Sequence, residues 1–236
     1  MFEDKTISGR GEAEIKVEFS QFFKDLDFRL NLFQTYKQSF DKYLASEFNV
    51  FQYILPDENR LSDIIADLLD PKGKHGQKEI FLKEFLELTG ISGKCDALKG
   101  KITREKATDY IPDSQRRIDI IIDFGEFGIG IENKPWANEQ NDQLKDYNKH
   151  LMKKYKDSYL LIYLTPSDSP PTSLTKNEIE DLKRQGAFLT MVYTEKFKIW
   201  IENCYKLSDS EKIRLFLKDF IDYIGSQFKS TQQKID

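Results

Sequence analysis

The sequence predicts an α/β protein in which a mixed β-sheet is flanked by helices, with an extra helical region ahead of it. Three observations point there. Apolar residues recur at helical spacing through roughly the first 90 residues, the period switches to two between about residues 99 and 134, and helical and strand-type stretches alternate after that.

The elements follow in order. From about Ala13 to Phe51, Phe19, Phe22, Phe23, Leu26, Phe28, Leu30, Leu32 and Phe33 recur among charges with mostly helical spacing, which predicts one or two amphipathic helices. Pro56 interrupts, and Asp57 can cap a helix whose Leu61, Ile64, Ile65, Leu68 and Leu69 fit the i, i+3, i+4, i+7, i+8 template. That helix stops at Asp70-Pro71. A short basic loop, Lys72 to Lys78, leads to another helix holding Ile80, Phe81, Phe85, Leu86 and Leu88, ended by Gly90 and Gly93.

Strand-type alternation is weak from Lys99 to about Thr108 and clear in Arg117–Phe124 and Phe127–Lys134. Pro135 closes the third strand, and Asn138 can cap a helix running to about Tyr155. Tyr159–Leu164 reads as a buried strand, Thr165–Thr175 as a Ser/Pro-rich loop and Ala187–Tyr193 as a fifth strand, before helices near Glu195–Tyr205 and Ser208–Phe228. The domain reading is a helical extension over residues 1–50 packed on the core, a main domain over 51–229, and a polar tail over 230–236 that frays.

Composition narrows the function classes. With 236 residues, 39% of them hydrophobic, the chain can bury a substantial core. Its two cysteines, Cys95 and Cys204, stand far apart with no histidine beside them, which argues against a disulfide framework or a cysteine zinc site and for a reducing cytoplasm. Met1–Gly11 lacks the apolar stretch of a signal peptide, and no eighteen apolar residues run together, so no membrane segment is expected. A net charge of −4 announces no global affinity for nucleic acid, although a local basic patch can still meet phosphates.

The two clearest strands carry the chemistry. Gly125-Glu126 between them suits a two-residue type II′ turn, with Phe124 then facing Phe127. Counting back sets Ile122 opposite Ile129, Ile120 opposite Ile131, and Asp119 opposite Glu132. One face carries Ile118, Ile120, Ile122, Phe124, Phe127, Ile129 and Ile131. The other carries Arg117, Asp119, Glu132 and Lys134, with Gly128 and Gly130 leaving it open. Hard carboxylate oxygens on neighbouring strands can hold Mg²⁺ or Mn²⁺ while leaving positions for water and phosphate, and a lysine alongside can orient a water and offset charge. An ordinary Asp/Glu/Lys salt-bridge cluster on a half-solvated sheet has the same pattern.

Asp119 followed across a hairpin by Glu132-Asn133-Lys134 resembles the signature of the PD-(D/E)XK nuclease superfamily, and the stretch from Glu58 to Pro71 with His75-Gly76-Gln77 resembles the opening of a bacterial family within it. The resemblance extends from about Glu58 to the helix after Tyr193. It implies a restriction-endonuclease-like core in α-β-β-β-α-β order and a Mg²⁺- or Mn²⁺-dependent phosphodiesterase acting on nucleic acid, DNA above all. It further implies that Asp119 and Glu132 bind metal, that the Asn133 carbonyl joins them, that Lys134 is catalytic, and that Glu58 reaches the same site from its helix. A Glu in a first helical turn is also favoured by the helix dipole alone.

Gln143 and Tyr147, four apart on one helical face, resemble an accessory motif of related nucleases that contacts substrate; a surface pair without a role has the same spacing. Arg117 and the loop residue His75 are further substrate-binding candidates, together with Lys72, Lys74, Lys78 and Arg116; a loop histidine is equally at home in solvent. Ile118 stands where the superfamily pattern has proline. The competing readings are a nuclease fold that has lost turnover and binds nucleic acid, and a protein-interaction module. A homodimer stays open.

Overall fold

The computed structural model describes residues 12–107, 116–136 and 140–228. The predicted Asn138 cap, the region around Thr108 and the tail after Ser230 lie outside them. The chain divides into two compact units at Phe48/Asn49.

The first unit is one long helix, α1 (Glu12–Leu44), and the fold-back that ends it. Ala45 turns the chain at φ 43°. The Asp41 carboxylate then accepts the Ser46 N–H at 2.9 Å and its hydroxyl at 2.6 Å, giving the ended helix a polar lock.

The second unit opens with a single turn, α2 (Phe51–Ile54), whose Phe51 stacks on Phe220 at 5.0 Å. Helix α3 (Glu58–Leu69) starts where the sequence says it should: the Asp57 carboxylate accepts the Arg60 N–H at 2.8 Å and so satisfies a helix-end donor. Its apolar stripe is buried, and it stops at Asp70 because proline follows. Helix α4 (Ile80–Thr89) ends at Gly90, whose φ of 77° lets the Ile91 N–H reach back to the Leu86 carbonyl at 3.0 Å.

Among the described residues five strands follow in spatial order equal to chain order: β1 (Lys101–Ala107), β2 (Arg117–Asp123), β3 (Gly128–Asn133), β4 (Tyr159–Thr165) and β5 (Phe188–Val192). The first three are antiparallel neighbours, and β3–β4 and β4–β5 are parallel. The sheet is therefore mixed, as predicted. Helix α5 (Gln143–Tyr155) connects β3 to β4, and α7 (Lys198–Leu207) and α8 (Glu211–Gln227) complete the fold.

The structure also contains a helix that the sequence reading passed over, α6 (Lys176–Arg184). Thr175 and Glu178 form a reciprocal capping box at its start. Only Ile179 and Leu182 of the helix are buried, too few to announce a period.

Both faces of the sheet are covered. One side packs Ile120, Ile122, Ile129, Ile131, Leu160 and Ile162 against the α3, α4, α7 and α8 side, where Phe85, Phe197 and Trp200 interlock and the indole N–H bonds the Phe81 carbonyl at 2.9 Å. The other packs Ile121, Leu161 and Tyr163 against Leu144, Tyr147, Leu151 and Tyr155 of α5. Here one expectation is corrected. Gly128 and Gly130 do not leave this face open: a Cβ on Gly128 would lie 2.1 Å from the Tyr155 ring, and one on Gly130 2.9 Å from Leu151. The glycines let α5 sit against the sheet, a packing role.

Candidate active site

The predicted hairpin register is present from Asp123↔Gly128 through Ile122↔Ile129 and Ile121↔Gly130 to Ile120↔Ile131. Gly125 takes φ 89° in the turn, and the Phe124 N–H bonds the Phe127 carbonyl at 3.0 Å. Because hydrogen-bonded pairs recur every second residue in an antiparallel ladder, the next such pair would join Ile118 and Asn133. It is replaced. The Asn133 N–H donates instead to the Asp119 carboxylate at 2.8 Å. Ile118 accordingly leaves the face of Ile120 and packs in the α5-side cluster, which corrects its predicted placement. The end of the hairpin is thus opened by the same side chain that enters the site.

Four predicted residues meet there. Asp119 is 9% exposed, Glu132 1% and Lys134 8%. The Lys134 ammonium lies 2.8 Å from a Glu132 oxygen and 2.8 Å from a Glu58 oxygen, so Glu58 in the first turn of α3 does reach the cluster. Gln143 and Tyr147 also arrive, from α5. The Gln143 amide donates to Glu132 at 2.7 Å and to the Tyr147 hydroxyl at 3.0 Å, and that hydroxyl donates to the Arg117 carbonyl at 2.7 Å. Together with Arg116, the exposed Arg117 and Gln140, these residues line a polar, open cavity of about 580 Å³.

The electrostatics follow from burial. Desolvation, reinforced by neighbouring Asp119, holds the Glu132 carboxyl well above the usual carboxylate range. Asp119 is raised too, chiefly by burial, with the Asn133 N–H and Lys134 pulling the other way. Burial alone would lower Lys134, but Glu132 and Glu58 outweigh it and keep the ammonium charged. One Glu132 oxygen, Oε2, is buried without a hydrogen-bond partner. A buried carboxyl oxygen with no hydrogen-bond partner, beside a second buried carboxyl, is a poor arrangement for a bare salt bridge and a good one for a hard cation. Among the described residues no three Asp, Glu, His or Cys side chains form a closed metal cage, so Asp119 and Glu132 could supply only part of a coordination shell.

His75 goes elsewhere. It is buried in its loop, Nε2 lies 2.9 Å from the Asp70 carbonyl, Nδ1 accepts the Gln77 N–H at 3.0 Å, and its ring stacks on Phe81. Lys72, Lys74 and Lys78 do not line the cavity. Arg116 does, while forming an ion pair with Asp146 of α5.

Other contributors escaped the sequence reading. Arg104 of β1 reaches the Asp119 carbonyl and pairs with Asp63 of α3 at 2.8 Å. The Asn133 side chain donates to the Ser62 hydroxyl at 2.9 Å and accepts from the buried Tyr193 hydroxyl, joining α3, β3 and the segment after β5. Arg104, Tyr193 and Ser62 stand 28, 61 and 70 positions from Glu132 and give no local signal; the "X" of the short motif was the one available hint.

Fold and site together define a restriction-endonuclease-like α/β protein with two carboxylates and a lysine gathered where a sheet hairpin opens. A sequence profile of the PD-(D/E)XK nuclease superfamily matches residues 48–222, most of the chain, and the protein belongs to that superfamily. Searches among curated proteins and among solved structures gave no match. No helix among the described residues is long and apolar enough to cross a membrane.

Proposed function

We propose that this protein is a Mg²⁺- or Mn²⁺-dependent nuclease that hydrolyses phosphodiester bonds in DNA. The observation that carries the reading is the convergence of Asp119, Glu132, Lys134 and Glu58, from three elements of the fold, on one open polar cavity.

Asp119 and Glu132 would hold the metal, with the Asn133 carbonyl as a further donor. When bound, the cation supplies Lewis acidity toward a phosphate oxygen and a more acidic bound water. The chain's own groups do the rest. Gln143, held by Tyr147, fixes the Glu132 carboxylate through one oxygen and leaves Oε2 free for the site. Lys134, kept protonated between Glu132 and Glu58, places a fixed positive charge where negative charge develops on phosphate oxygens. Arg117 at the cavity offers a further charge for the substrate backbone. A nuclease fold serving only to bind nucleic acid is disfavoured by the intact carboxylate and lysine set.

The test is incubation of the purified protein with supercoiled, linear and single-stranded DNA and with RNA, in Mg²⁺, Mn²⁺ or EDTA. Cleavage of DNA that needs metal and falls at least about a hundredfold in both Lys134→Ala and Asp119→Ala is expected. No cleavage of any substrate, together with no heat of Mn²⁺ binding, would sink the reading.

A further inference from the structure

Helix α1 presents more large apolar side chains than its own unit covers, and they follow a heptad. Phe19, Leu26, Phe33 and Phe40 recur at one position and Phe22, Arg29, Tyr36 and Tyr43 at the position three residues on. The apolar members of this seam are exposed, from 40% for Leu26 to 73% for Tyr43. A seven-residue repeat held over four turns of the pattern is the signal for helix-on-helix supercoiling, and a helix of 33 residues is about 50 Å long, ample for a stable seam.

Two features choose the occupant and its direction. Residues 18–27 of the helix carry three acidic side chains and one basic, whereas residues 35–44 carry two basic and one acidic. A second copy laid antiparallel sets the acidic half of each helix on the basic half of the other; a parallel copy would align like with like. Arg29 makes the same choice independently. In a parallel, in-register pair it would face Arg29 of the other copy inside the seam. In the antiparallel pair with Phe19 against Tyr43 and Phe22 against Phe40, Arg29 meets Phe33 of the second copy, where a guanidinium can lie on a ring face.

We propose that α1 is a homodimerisation element that pairs antiparallel with α1 of a second copy, through the Phe19–Tyr43 seam. The full chain should sediment as a dimer at micromolar concentration. Leu26→Glu combined with Phe33→Glu should return it to a monomer while the thermal transition of the residue 49–236 unit stays in place.

Direction is read by cysteine cross-linking on a Cys95→Ser background, Cys204 being buried. Phe19 and Tyr43 of one helix are about 36 Å apart, too far for a disulfide within one chain. Oxidation of the Phe19→Cys/Tyr43→Cys chain should therefore give covalent dimers, and oxidation of Phe19→Cys alone should not. A chain that is monomeric at every concentration, a dimer that survives the double Glu substitution, or cross-linking by Phe19→Cys alone would each overturn the proposal. The first of these outcomes would assign the seam to a surface of its own chain or to another protein.

Discussion

The two ends of the β2–β3 hairpin are built from the same strands and could hardly be less alike. Near the turn the ladder is regular, from Asp123↔Gly128 to Ile120↔Ile131, and Ile122 and Ile129 are fully buried. At the open end the ladder stops, a backbone N–H is taken by the Asp119 carboxylate, and two buried acids and a lysine line a polar cavity. On the proposed function, the difference teaches that the regular end supplies rigidity and the broken end supplies chemistry. Breaking the ladder lets the Asp119 side chain line the cavity while it stays anchored by the sheet that carries it.

That division can be attacked from either side. The largest effect is expected at the regular end: Ile129→Ala should cost about 2–5 kcal/mol of unfolding free energy, the range for emptying a buried aliphatic site, with cleavage per folded molecule unchanged. Denaturant titration alongside activity would read both, and a loss of specific activity without a loss of stability would erase the distinction. At the open end the reverse pattern is expected. Glu132→Gln should lower metal-dependent cleavage at least about a hundredfold while the chain stays folded.

Gln143→Ala sharpens the comparison one step outward. It removes the donor that orients Glu132, so cleavage should fall about tenfold to a hundredfold, with weaker Mn²⁺ binding by calorimetry. Unchanged metal affinity and rate would reduce Gln143 to packing. Smallest is the stability effect of Asp119→Asn in EDTA. Asp119 has a raised folded-state pKa, so its stabilising contribution is present below the unfolded value and lost as pH rises through the folded one. The non-titrating amide escapes that loss. Its melting temperature at neutral pH should exceed that of the parent by a few degrees, and the gap should close on acidification. A gap that widens in acid would have the sign wrong and would remove burial as the cause.

Much of this was legible in the order of residues. The α3 stripe and its Asp57 cap, the positive-φ Gly125, and the alternation in both strands are local signals, because each depends on neighbours within a turn or a strand. They suffice to put Asp119, Glu132 and Lys134 together, since a hairpin register is fixed by its turn. Glu58 and the Gln143/Tyr147 pair came through family resemblance, and the structure brings all three to the cavity. Helix α6 was missed because two buried residues make no period, and the glycines of β3 were misread because their partner, α5, lies across the sheet.

The sequence by itself determined the element types apart from α6, the hairpin register and the carboxylate–lysine cluster on it, all of which follow from local geometry and repeat period. Only the tertiary structure decided that the ladder breaks at Asp119, that Ile118 turns toward α5, that His75 is spent inside its own loop, and that Arg104, Ser62 and Tyr193 brace the site. These depend on which distant elements come to lie against one another and on how a buried polar group finds its partner. Desolvation makes that search energetically decisive, and no spacing along the chain records its outcome.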